Sequence, residues 1–102
     1  MKSYMQMIYI DTDGDARHTG VGAAMQTDAA TWAAFNALRP LSCQFDDAAF
    51  LLDYHDANGD LVDTLAIKRE DFAAITGEQV MSDAYYRQKD GDYWAEARAQ
   101  RG

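Results

Sequence analysis

Residues 3 to 10, SYMQMIYI, alternate with a period of two. Tyr4, Gln6, Ile8 and Ile10 fall on one side, and Met5, Met7 and Tyr9 on the other. Such alternation predicts a strand, and apolar groups on both faces predict a central one. DTDGDARHTGVG then reads as polar turn and loop, with AAMQ at 23–26 a short strand pairing back on the first. Thr27 or Asp28 can cap a helix whose body is AATWAAFNALR. Its apolar stripe is Trp32, Phe35 and Leu38, and Pro40 should stop it at Arg39.

A hairpin is predicted next, from strands at 48–55 and 61–67 around Asn58-Gly59. Two registers compete. A two-residue turn pairs Tyr54 with Asp63 and Leu52 with Leu65. A three-residue turn, Ala57-Asn58-Gly59 with Gly59 left-handed, pairs Asp53 with Asp63 and sets like charges opposite each other. The first is therefore preferred. REDFAAITG reads as a short helix stopped by Gly77. SDAYYRQK, from a Ser82 cap, and DYWAEARAQ, from an Asp90 or Asp92 cap, read as two further helices broken at DGD, with Tyr85, Tyr86, Tyr93 and Trp94 stitching this tail to the body. The order β-β-α-β-β-α-α predicts an α+β fold: about four antiparallel strands with helices packed on one face. No linker, repeat or low-complexity tract stands out, so residues 1–102 read as one compact domain.

Composition supports that frame. In 102 residues, 48% hydrophobic and 12% aromatic, there is enough apolar material for one modest core. MKSYMQMIYI has no signal-peptide pattern and no apolar run approaches a membrane span, so the expected setting is cytoplasmic, with no membrane partner. The single cysteine, Cys43, excludes an internal disulfide and reads as a small buried hydrophobe.

Charge changes the picture more. The net charge is −8, and its distribution is uneven. Residues 1 to 45 carry four acids and three bases; residues 46 to 102 carry thirteen acids and six bases. Six aspartates and no lysine or arginine lie in DDAAFLLDYHDANGDLVD, residues 46 to 63. Such a field repels nucleic acid and anionic lipid and attracts basic protein surfaces. No direct nucleic-acid binding is expected.

Reaction chemistry is hard to find. DTDGD suggests a calcium loop, yet a loop begun at Asp11 puts glycine at its fourth position rather than its sixth, and Gly22 where glutamate belongs. With two histidines, His18 and His55, and one cysteine, a zinc set is not assembled. TGVGAAM lacks dinucleotide-binding spacing, and no phosphate-binding loop occurs. No cofactor, metal or catalytic residue is assigned. The readings left are a non-enzymatic binding protein, a small dimeric or regulatory domain with an apolar interface, or a small enzyme using carboxylates or His55.

The acid cluster Asp46, Asp47, Asp53, Asp56, Asp60 and Asp63, continued by Glu70 and Asp71, lies in a small acidic chain without catalytic motif. In that combination the chain resembles, as a type, phage-encoded inhibitors of bacterial defence, the DNA-mimic anti-CRISPR proteins among them. YHDANGDL is also similar to the turn of YD-repeat proteins, but it occurs once. The first resemblance implies an inhibitor acting in the cytoplasm of an infected bacterium. It would present these eight acids, with Tyr54 as an aromatic anchor, to the basic channel of a nucleic-acid-binding complex such as a CRISPR effector. Homodimers are compatible with it.

Overall fold

The computed structural model describes residues 2–101. Its four strands are β1 (Tyr4–Ile10), β2 (Ala16–Ala23), β3 (Phe50–His55) and β4 (Leu61–Ile67). They form one antiparallel sheet in the order β2-β1-β3-β4. The helices are α1 (Asp28–Ala37), α2 (Phe72–Thr76) and α3 (Asp83–Arg101). The fold is α+β, with β1 central as its two-sided apolar pattern requires.

One sheet face carries Met5, Met7, Tyr9, Phe50, Leu52, Tyr54, Leu65 and Ile67, all buried. Phe35 of α1 and Phe72 of α2 close over it, and both are fully buried. Phe72 stacks on Phe50 at 4.2 Å, and Phe35 packs on Tyr54 at 5.5 Å. Thr27 caps α1, its side chain accepting the Ala30 N–H at 3.0 Å. Pro40 lies in the single 3₁₀ turn that follows, and Gly77 ends α2 as expected. Of the apolar stripe in α1, Trp32 remains partly exposed, its ring edge-on to Tyr54.

Two hairpins flank the central pair, and their turns are the same object. In DTDGD the Asp11 carboxylate accepts the N–H groups of Asp13 and Asp15, at 2.9 and 3.0 Å. In DANGD the Asp56 carboxylate accepts those of Asn58 and Asp60, at 2.9 and 3.0 Å. Gly14 (φ 83°) and Gly59 (φ 86°) sit at the matching left-handed position, where any Cβ is strained. Both turns are thus the side-chain turn chemistry that Asp and Asn favour.

The correspondence extends beyond the turns. Tyr9, Asp11, Gly14, Asp15 and Thr19 recur 45 residues later as Tyr54, Asp56, Gly59, Asp60 and Thr64. Met7 and its counterpart Leu52, also 45 apart, pair directly across β1 and β3. A pseudo-twofold axis therefore passes through the sheet at that pair, relating β1-β2-α1 to β3-β4-α2. The sequence reading finds no repeat, because few residue identities are preserved beyond the turn and its flanking tyrosine and threonine.

The β3–β4 hairpin combines both candidate registers. Its turn is the three-residue one, with the Gly59 N–H donating to Asp56 O at 2.9 Å. Yet Tyr54 pairs with Asp63 and Leu52 with Leu65. The register shifts between Tyr54 and His55, because Val62 is an extra residue opposite that step. The bulge prevents the Asp53–Asp63 juxtaposition and keeps Leu65 and Ile67 on the core face.

Three expectations are corrected. The segment read as loop is strand β2, from Ala16 to Ala23, while Ala24 to Gln26 lie outside any strand. Thr19, Gly20 and Val21 together oppose Met7, so no regular alternation appears in the sequence. The tail is one helix rather than two, running through Gly91. Asp90 does not cap a second helix, because its carboxylate is held by β2. Moreover, α3 does not stay on the core face. Tyr86 is buried against Tyr9 on that face, whereas Tyr93 stacks on His18, which points to the opposite one. The helix crosses the β2 edge between them and covers it.

Candidate functional site

The expected acidic strip is distributed over both ends and both faces of the sheet. Because β1 and β3 are antiparallel, the end that carries the 11–15 turn also carries the start of β3 and the end of β4. Asp46, Asp47, Glu70 and Asp71 are at this end, the first three exposed. Asp56 and Asp60 are at the opposite end, about 20 Å away at ~3.3 Å per residue. Asp56 is occupied in its turn.

Asp53 and Asp63 point to opposite faces. Asp63 is paired with Arg39 at 2.8 Å, and that guanidinium hydrogen bond lowers its pKa. Its other oxygen accepts the Thr64 N–H at 2.8 Å, which removes one donor from the β4 edge. Asp53 is half-buried on the open face. Burial raises its pKa, against a hydrogen bond from the Thr64 hydroxyl at 2.8 Å. Tyr54 is only 6% exposed and belongs to the core, so it cannot anchor a partner. The six aspartates of residues 46–63 do not gather into one strip, because hairpin strands alternate faces and carry their ends apart.

The cations also concentrate where the sequence looked most like a metal loop. The carboxylates of Asp11, Asp13 and Asp15 approach within 4.8 Å of one another. Asp11 is engaged by Arg17 Nε at 2.9 Å and by Arg87 Nε at 3.4 Å, in addition to its two backbone donors. The Arg17 bond leads in holding its pKa at about 2, while burial pushes the other way. Arg87 also reaches Asp13 at 3.0 Å, and Asp83 accepts from Thr12 and Tyr9. The network joins the first turn to the start of α3.

A second network fixes the middle of α3. The buried Asp90 accepts from Arg17 Nη1 at 3.2 Å and from the His18 backbone N–H at 3.1 Å, and lies 2.8 Å from His18 Nδ1. Burial disfavours its ionisation, but these bonds outweigh burial and lower its pKa. The His18 imidazole then stacks on Tyr93 at 3.7 Å and meets Trp94 edge-on at 5.4 Å.

Beyond this anchor lies a concavity of the open face. Tyr4, Gln6, Gly20, Gly22 and Tyr93 line a depression of about 240 Å³. Both tyrosines are held by imidazoles: Tyr93 on His18, and Tyr4 on His55 at 4.8 Å with rings 7° from parallel. His55 Nδ1 is 3.3 Å from Gly59 O. The floor passes through Gly22, where a Cβ would come within 3.1 Å of Met5 O. Among the described residues the Gln6 side-chain amide has no hydrogen-bond partner, and Asp53 is its cross-strand neighbour on the same face.

Sequence reasoning missed this grouping. It named Tyr93 as a packing residue, and treated Tyr4, Gln6 and His18 without a role. The available signal was Tyr4 and Gln6 on the side of β1 opposite the methionines. No helix among the described residues is long and apolar enough to cross a membrane. Comparison with family models, with curated proteins and with solved structures finds no match to the chain.

Proposed function

We propose that the protein is a non-enzymatic binding protein that recognises a basic, nucleic-acid-binding partner, and that its effect on the partner is inhibition by occupying a cationic surface. The observation that supports this reading is the imbalance of unpaired charge. The internal ion pairs use Arg17, Arg39 and Arg87. Among the described residues Asp46, Asp47, Asp53, Asp56, Asp60, Glu70 and Asp71 have no ion-pair partner, against a net charge of −8. These acids form separate groups at the two sheet ends and on the open face. A partner that contacts them spans a broad positive surface rather than a narrow groove. An anti-CRISPR role, with a CRISPR effector as the partner, is one member of this class.

The test is capture from a bacterial lysate at low and moderate ionic strength, followed by competition with duplex DNA. Electrostatic contacts weaken as the Debye length contracts from ~30 Å at 0.01 M to ~8 Å at 0.15 M. Capture that falls steeply with salt, is displaced by DNA and is lost in the Asp46→Asn/Asp47→Asn/Asp60→Asn/Glu70→Gln variant supports the reading. Capture indifferent to salt and to these exposed substitutions refutes it.

A second reading, an apolar interface that includes self-association, draws on one region. Phe45 is 65% exposed, Leu61 57% and Val62 52%, all along or next to the β4 side. Concentration-dependent sedimentation that is insensitive to salt would favour it.

A further inference from the structure

The depression on the open face combines two immobilised aromatic rings, a glycine floor, an unpartnered amide and a neighbouring carboxylate without a cation. We propose that Tyr4, Tyr93, Gln6 and Asp53 receive one arginine side chain of the basic partner, which deepens, and rests on, the reading above.

The chemistry selects a guanidinium. Aromatic faces attract cations through the ring quadrupole, most strongly where water is excluded, and a planar guanidinium also stacks on them. Tyr4 and Tyr93 need little reordering to do this, because each already lies against a histidine ring. The Gln6 carboxamide oxygen can accept one guanidinium N–H. The Asp53 carboxylate, half-buried and bonded only to the Thr64 hydroxyl, can accept others. Burial keeps it short of compensation, and an incoming cation relieves that.

Glu96 borders the far side of Tyr93 and adds a second negative group. The nearby positive groups are otherwise engaged. His18 is held by Asp90, and the Lys89 amine lies over the Tyr85 ring at 5.5 Å. An anion would face the Asp53 carboxylate beside Gln6 and a further carboxylate, Glu96, beyond Tyr93. A neutral ring would gain the walls but leave Asp53 unsatisfied. The volume, about 240 Å³, suits one side-chain head group rather than a folded segment.

The experiment is an amide NMR titration of the whole protein with N-acetyl-arginine amide, against its uncharged isostere N-acetyl-citrulline amide. The expected result is saturable shifts at Tyr4, Gln6, Gly20, Gly22 and Tyr93 with arginine and none with citrulline. Tyr93→Leu should weaken binding roughly two- to fivefold, as expected for one lost cation–π contact. Gln6→Ala, which removes no ring, should weaken it as well, and the same spectra verify that both variants are folded. Shifts that are unsaturable and spread over the acidic loops, equal for citrulline, or unchanged in both variants would overturn the inference. The two levels separate in the capture assay. Salt-sensitive capture at full strength by Tyr93→Leu, together with no probe binding, refutes the arginine site and leaves the acidic reading standing. Failure of wild-type capture at every salt concentration refutes the reading beneath it.

Discussion

Asp90→Ala should be the most damaging single substitution outside the apolar core. The residue is 6% exposed and gathers three groups of β2 onto α3: Arg17 Nη1, the His18 N–H and the His18 ring. Hydrogen bonds to a charged group contribute about 1.5–3 kcal/mol each, and a buried donor left unmatched costs about 1–3 kcal/mol. The three contacts share one carboxylate and are not additive, so a total near ~3 kcal/mol is expected. For a domain of about 100 residues each kcal/mol moves the Tm by roughly 4–8 °C, which gives a fall of ~12–24 °C. Asp90→Asn keeps an oxygen for the His18 N–H but removes the charge facing Arg17, and should cost about half as much. Urea unfolding followed by Trp fluorescence gives both values, with an unchanged m-value showing that the comparison is sound. Hydrogen exchange adds the location: amides after Asp90 in α3 should lose protection before Tyr86, which the core retains. An alanine variant within ~0.5 kcal/mol of wild type, or an asparagine variant as unstable as alanine, would refute the assignment.

Gly14→Ala and Gly59→Ala should each cost about 1–2 kcal/mol, and by similar amounts, because both place a Cβ at positive φ with open space around it; urea midpoints check this, and a twofold disparity would argue against equivalent turns. Asp11 has a folded pKa of about 2 against an ordinary 3.8, so the stability it provides is complete above pH ~4 and lost as pH falls toward 2. Asp11→Asn should flatten that part of the pH–stability profile, and an unaltered acid limb would contradict it. Asp53 has the opposite sign: its raised pKa means that folding disfavours the ionised form, a penalty absent at low pH and present once pH exceeds the folded value. Asp53→Asn should therefore raise the urea midpoint near pH 7 but not near pH 3, while weakening arginine-amide binding; a variant that is both less stable at pH 7 and equally able to bind would count against its assigned place.

Much of the fold was legible because burial leaves a periodic trace. SYMQMIYI and FLLDYH alternate, Asn58-Gly59 between apolar runs marks the hairpin, and Thr27, Pro40 and Gly77 mark helix ends by local chemistry. What escaped depends on partners distant in sequence. ARHTGVGA looks like a loop because its polar groups satisfy α3 and its bulge breaks the period of two. Asp90 looks like a cap because nothing local reveals Arg17 and His18 across the β2 edge. The acidic run of 46–63 looks like a patch because sequence order suppresses both strand alternation and the distance between strand ends. Within the candidate site, Tyr4 and Gln6 were placed on the correct side of β1, but Tyr93 reaches them only through the crossing of α3.

The aromatic depression of the open face lies where the two halves of the fold depart from their pseudo-twofold relation. Arg17 and His18 of β2 oppose Tyr9 and Ile8, and across the axis Asp63 and Thr64 of β4 oppose Tyr54 and Asp53, so the two pairs share position but not chemistry. On β2 the pair binds Asp90, and α3 closes the edge and brings Tyr93 over the far face. On β4 the corresponding aspartate turns back to Arg39 and the Thr64 N–H, and Val62 is spent on the bulge. Among the described residues no helix packs along that edge as α3 does on β2. The half of the molecule that departs from the repeat is thus the half that acquires a walled, polar concavity. If α3 creates the site by covering β2, then His18→Ala should release Tyr93 and weaken arginine-amide binding about as much as Tyr93→Leu does, while Tyr4 and Gln6 keep their native shifts. Retention of full binding in that variant would mean that β1 alone forms the receptor and that the asymmetry of the duplicated fold has no part in recognition.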